Sequence, residues 1–201
     1  MTRRARVLVV VGLLAALGAA AVLTASRLMR RAELARLESL LGLRDGMRVA
    51  DVGAGSGWLA VEMARRVGPS GHVYATELDR GRLDDIREAA RDAGLANVTV
   101  LQAGERATNL PAGCCDAVVL RRVYHHLSDP AAVTASIRAA LLPGGRLAVI
   151  EFRREGVLGR LTGMGIESDA LVERVGAAGF ETVTTDEWPG WDHHVAVFRR
   201  P

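Results

Sequence analysis

Charged and apolar positions separate the chain into stretches of different character. From Val7 to Ser26 the sequence VLVVVGLLAALGAAAVLTAS carries no charge, with Arg3, Arg4 and Arg6 before it and Arg27, Arg30 and Arg31 after it. Leu34, Leu37, Leu40 and Leu41 then recur at helical spacing until Gly42 interrupts them, which predicts an amphipathic helix over 27–41. Short apolar runs follow, alternating with longer helical patterns. Strands are predicted at 47–52, 72–77, 97–102, 115–121 and 145–151, and helices from the end of the first glycine-rich loop to Val67, at 79–93 and at 129–141. Strands separated by helical stretches predict a parallel, doubly wound α/β sheet. A helix at 168–178 and strands at 180–186 and 192–199 close the pattern, with Trp188-Pro189-Gly190 as the hairpin turn.

The uncharged run has the length of a membrane span, since twenty residues of helix at about 1.5 Å each match a hydrocarbon core of about 30 Å. Residues 1–31 are therefore expected to be a membrane anchor, and residues 32–201 the folded domain. Ala19-Ala20-Ala21 also fits the cleavage site of a signal peptide, but the apolar run continues past it, which favours the anchor. Arginines flank both ends, so the positive-inside rule does not orient the span.

Charge supports this division. Seven arginines precede Leu37 against a single acid, Glu33, whereas the remainder carries more acids than arginines. The net charge of +3 is thus concentrated beside the apolar segment, where a membrane surface accounts for it better than nucleic acid does. Every basic residue apart from histidine is arginine, which reads as compositional bias. The cysteines, Cys114 and Cys115, are adjacent and cannot clip two chain segments together. They read as small residues of a turn before a strand, with no zinc spacing.

The chemistry begins after the first strand, where Gly53-Ala54-Gly55-Ser56-Gly57 leads into a helix. Glycines there let the backbone turn sharply and let a ligand approach closely. Glu77 ends the second strand, twenty residues beyond Gly57, where a carboxylate can accept the hydroxyls of a ribose. An adenosine-containing ligand is expected. The G-x-G-x-G spacing differs from the G-x-G-x-x-G of dinucleotide enzymes, whose helix N-terminus meets a pyrophosphate.

The stretches VADVGAGSGWLAVEMA, YATELD and LLPGGRLAVIEF, with AAGF before two closing strands, together resemble the class I S-adenosylmethionine-dependent methyltransferases from about Leu37 onward. The resemblance implies a Rossmann-like, mostly parallel seven-stranded sheet with a C-terminal antiparallel hairpin. The expected cofactor is S-adenosyl-L-methionine, with Asp51 and the loop Gly53, Ala54, Gly55, Ser56 and Gly57 at its methionine end, Glu77 at its ribose and Leu78 against its adenine. Members often place an acid soon after the third strand to receive the adenine amine. Here that segment reads QAGERATNLP, and Glu105 fits with a shift of register. Because the cofactor is a cytoplasmic metabolite, the expected placement is a single-pass membrane protein with its domain in the cytoplasm, the alternative being export after signal cleavage.

Methyl transfer demands alignment above all, and a base only where the acceptor carries a proton. The segment 121–130, RRVYHHLSDP, follows the fourth strand at the ligand-binding end of the sheet and supplies His125 and His126 as candidate bases. Packing over the cofactor is the plainer role for either histidine. Glu151 is expected near the crevice, touching substrate or pairing with Arg153, while His193 and His194 alternate to opposite faces of a strand as structural residues, and Trp188 and Trp191 shape the hairpin. No metal site is expected, since adjacent histidines seldom converge on one ion and no third ligand is evident. The segment after the fourth strand lacks the Asn/Asp-Pro-Pro-Tyr pattern of amino-methylating nucleic-acid enzymes, so the expected partner is a small-molecule methyl acceptor. The alternatives are a nicotinamide-dependent oxidoreductase, weakened by the glycine spacing and by the absence of lysine for a Tyr-Lys pair, and a non-catalytic membrane-tethered cofactor-binding module.

Overall fold

A computed structural model describes residues 3–188 and 192–201, with side chains from Leu14 onward except that of Trp188. Two compact units are present, Met1–Arg36 and Leu37–Pro201. The chain opens with α1, Arg3–Leu41, a single helix where the sequence suggested a span followed by a separate lead-in. Among the described residues no helix is long and apolar enough to cross a membrane. This overturns the expected transmembrane helix, and with it the membrane anchoring and the placement built on it. The same helix runs on without a break through Arg27, Arg30, Arg31, Glu33 and Arg36, so charged residues follow the apolar run directly.

The second unit is an α/β sheet. Its elements in chain order are β1 (Arg48–Val52), α2 (Trp58–Val67), β2 (His72–Glu77), α3 (Arg80–Asp92), β3 (Val98–Gln102), β4 (Cys115–Arg121), a 3₁₀ turn at Tyr124–His126, α4 (Pro130–Ala140), β5 (Leu141–Phe152), α5 (Val157–Thr162), α6 (Ser168–Ala177), β6 (Glu181–Trp188) and β7 (His193–Arg199). The sheet has seven strands in the order β3-β2-β1-β4-β5-β7-β6. Strands β1 to β5 run parallel, and β7 is antiparallel to both β5 and β6.

Local chemistry sets these boundaries. Asp79 caps α3 by accepting the Gly81 N–H at 2.8 Å, and Asp129 caps α4 by accepting the Ala132 N–H at 3.0 Å, just ahead of Pro130. A capping carboxylate satisfies an amide the helix leaves unpaired, and Pro is tolerated in the first turn because it has no N–H to lose. One face of the sheet, with Val118, Leu147, Val149 and Phe198, packs on Ile137 of α4 and Leu171 of α6. Phe198 is fully buried, and removing such a side chain from water stabilises by about 1.5–3 kcal/mol. The alternating pattern is weak in β7 because both its faces are covered; His193 and His194 are both buried.

The segment between β5 and α6 adds an element that periodicity does not predict. The glycine-rich stretch 153–166 contains α5, whose six residues have little intrinsic helix stability. Tertiary contact holds it, because the Leu158 N–H donates to the Asp192 carboxylate at 2.6 Å from the start of the distant β7 hairpin arm. The expected turn Trp188-Pro189-Gly190, and Trp191 with it, lies outside the described residues apart from the backbone of Trp188, which ends β6.

Candidate active site

The sheet order reverses direction between β1 and β4, and a crevice forms outside the carboxyl ends of strands at such a point. A cavity of about 430 Å³ occupies this position, within the size range of small-molecule sites. Its walls come from the loop after β1, the end of β2, the segment after β3 and the segment after β4.

The first wall is the glycine loop, docked on the end of β2. The N–H groups of Gly53 and Ala54 donate to the Thr76 carbonyl at 2.8 and 3.0 Å, and the Gly55 N–H donates to Glu77 Oε2 at 2.9 Å. Gly53 has φ 74°, and a Cβ there would lie 2.4 Å from a Val123 methyl, so only glycine brings this backbone against the β4 segment. Gly57, with φ 77°, begins α2 and faces Ile86 rather than the cavity.

Glu77 sits at the lip of the cavity, 8% exposed, with Oε1 receiving the N–H groups of Leu78 and Asp79 at 2.8 and 3.1 Å. With the Gly55 bond these fix the carboxylate, and an ionised carboxylate offers about four acceptor positions, leaving one for a ligand hydroxyl. Leu78 beside it is 53% exposed, an apolar surface of the kind that a flat base covers. Glu105 lines the same cavity from the segment after β3. The residues present thus fit an adenosine with a polar tail: a fixed carboxylate, an apolar flank, a second acid and a glycine backbone.

Asp51 is placed differently from the expectation. It is buried beneath the loop, 2% exposed, and does not line the cavity. Burial pushes its carboxyl up to about 7, opposed by the nearby Arg121 guanidinium and a hydrogen bond from the Ala60 backbone, and assisted by the negative Glu77. Asp51 therefore lies at the end of β1 beneath the loop, hydrogen-bonded by the Ala60 backbone and off the cavity wall.

The β4 segment divides the two candidate bases. His126 lines the cavity, whereas His125 is turned inward. Its ring Nδ1 lies 2.5 Å from Glu151 Oε2, with side chains only 7% and 0% exposed. Glu151 is thus committed to His125, and the expected Arg153 faces Glu187 and Asp192 at 3.4 and 3.9 Å. The rings of His125 and His126 are in contact, with centroids 3.9 Å apart and planes inclined by 41°. Tyr124, between them and β4, is buried, and that burial raises its phenol above the usual range. His194 Nε2 lies 2.9 Å from the Ile166 carbonyl, which can only accept, so Nε2 is the donor; burial lowers its imidazole below the ordinary value.

Sequence reasoning did not single out Trp58, Arg82, Arg121 or Arg122, all on the cavity wall. For Arg121 and Arg122 the signal was the end of β4, where doubly wound sheets present side chains to ligands. Arg122 has φ 60°, rare for a residue with a side chain, and its guanidinium lies 5.0 Å over the Phe152 ring.

Residues 49–145 match a family described as a methyltransferase domain. A similar curated protein is the ubiquinone/menaquinone biosynthesis C-methyltransferase UbiE of Vibrio cholerae, 32% identical over 114 residues, which are 56% of this chain and 44% of that protein. The chain therefore spans less than half the length of this relative. Among solved structures, a S-adenosylmethionine-dependent methyltransferase from Aquifex aeolicus superposes with a TM-score of 0.74 at 24% identity, over 84% of this chain and 89% of that one. The [4+2]-cyclase SpnF superposes with a TM-score of 0.72 at 21% identity, over 84% and 79% of the two chains. The matched segment carries β1, the glycine loop, Glu77 and the β4 wall, so residues 49–145 of this chain form a methyltransferase domain, in a fold shared with S-adenosylmethionine-dependent methyltransferases of known structure.

Proposed function

We propose that this chain transfers the methyl group of S-adenosylmethionine to a small-molecule acceptor. The observation that carries the reading is Glu77, a carboxylate fixed by three backbone N–H groups at the end of β2, on the lip of the cavity that the glycine loop closes. Glu77 receives a ribose hydroxyl, Leu78 flanks the adenine, Glu105 receives the adenine amine and the backbone of 53–56 follows the methionine end. When bound, the cofactor supplies an electrophilic methyl group on a sulfonium. The protein aligns the acceptor with that methyl group and excludes water, which is the main demand of the reaction.

The acceptor side is the segment after β4, with His126 at the cavity wall as the group that takes a proton from an O–H or N–H acceptor. Trp58, Leu127 and Val133 add apolar wall, which suits a flat or aromatic molecule. Quinols are the first compounds to screen as acceptors, because the similar curated proteins carry quinone-biosynthesis names.

Calorimetric titration of the full chain with S-adenosylmethionine and S-adenosylhomocysteine tests the cofactor assignment. Binding in the micromolar range that falls at least tenfold in Glu77→Ala supports it. A folded protein that binds neither compound, or a Glu77→Ala protein that binds as well as the original, removes it.

A further inference from the structure

Glu151 poses a problem that its position alone does not solve. Its side chain is 0% exposed at the end of β5, and a buried carboxylate costs several kcal/mol unless it is paired and hydrogen-bonded. Both of its oxygens are directed to a single residue: Oε1 receives the His125 backbone N–H at 3.3 Å and Oε2 meets the His125 ring Nδ1 at 2.5 Å. An ionised carboxylate only accepts, so the ring proton belongs on Nδ1. The other ring nitrogen, Nε2, is buried with no hydrogen-bond partner among the described residues. The tautomer of His125 is therefore held from the Glu151 side alone.

The second consequence is geometric. Backbone and ring of His125 are gripped by one carboxylate that belongs to β5, and the His126 ring lies against that ring, with centroids 3.9 Å apart and planes inclined by 41°, while lining the cavity. A base must be held in place by its neighbours to work efficiently, and a carboxylate that fixes an imidazole is a recurrent way of achieving this. We propose that Glu151 is a positioning residue: it locks His125 as the Nδ1–H tautomer and so fixes the contacting ring pair that presents His126 to the acceptor. The inference rests on the reading of the β4 segment as the acceptor side.

The proposal has a signature that a space-filling role for Glu151 would not produce. In the full chain labelled with ¹⁵N at the histidine rings, long-range ¹H–¹⁵N spectra, assigned with His125→Gln, are expected to show a single Nδ1–H tautomer for His125 with a slowly exchanging proton. In Glu151→Gln that signal is expected to become a mixture of tautomers and the His126 ring signals to shift, while the affinity for S-adenosylhomocysteine stays within about twofold. A native His125 protonated at Nε2 alone overturns the proposal, and so does a Glu151→Gln spectrum unchanged at both rings. Should that variant fail to fold, the native tautomer decides by itself. Failure of the native chain to bind S-adenosylhomocysteine counts against the cofactor reading instead, and leaves the tautomer result legible.

Discussion

The guanidinium of Arg121, the last residue of β4, lies 5.1 Å over the ring of Trp58, the first residue of α2. Both side chains line the cavity, so this stack joins the wall of the glycine loop to the wall that carries His126. A cation over an indole contributes about 0.5–2 kcal/mol, increasing as water is excluded. Trp58→Ala is expected to weaken S-adenosylhomocysteine binding by roughly tenfold, the upper part of that range, whereas Trp58→Phe retains most of the affinity. Calorimetry on the two variants checks this, and equal affinity for Trp58→Ala and the parent would detach the stack from binding.

Gly53 is the loop position least able to change. Alanine there would adopt φ 74° and place its Cβ 2.4 Å from a Val123 methyl. The backbone cost is about 1–2 kcal/mol and overpacking adds roughly 1–3 kcal/mol. Gly53→Ala is expected to lower the urea midpoint accordingly, and adding Val123→Ala is expected to restore only the packing part. Full recovery in the double variant would show that backbone strain is negligible.

Asp51 makes stability depend on pH in an unusual direction. Its folded carboxyl is raised from 3.8 to about 7, so between these values the folded chain holds a proton that the unfolded chain has lost. Stability from this group is therefore complete below about pH 4 and declines as pH rises through 7, by an amount on the order of a few kcal/mol. Asp51→Asn is expected to match the parent near pH 4 and to exceed it at pH 8. The difference between the two proteins isolates Asp51 from other titrating groups, and denaturant unfolding at both pH values measures it. A constant difference across that range would contradict the assigned cause.

Legibility in the sequence tracked how local each determinant is. The loop between β1 and α2, and Glu77 at the end of β2, follow from residue types at short spacing, because glycine backbone and strand ends are local properties. Capping by Asp79 and Asp129 is local in the same sense. The helix α5 escaped because Asp192 holds its start from across the sheet, a contact no periodicity records. The partner of Glu151 escaped likewise: Arg153 is near in sequence, but β4 and β5 lie side by side with Arg121 opposite Ile150, which brings the turn holding His125 to Glu151. The burial of Asp51 beneath the loop was not legible either, since sequence gives no depth. For the N-terminal segment, apolar length alone suggested a span that the helix does not provide among its described residues.

The placement of β7 has a consequence for how the chain reaches its native state. It follows every other strand in sequence, yet it lies inside the sheet between β5 and β6. Until residues 193–199 dock, the edge of β5 and the edge of β6 both stand open, and Phe198 is missing from the core. Open edges pair readily with other chains, and distant pairings close slowly because the intervening segment must first be ordered. The interval before β7 inserts is therefore when this protein is most exposed to aggregation, and substitutions in its last strand should reduce the yield of soluble product during synthesis more than they reduce the stability of molecules already folded.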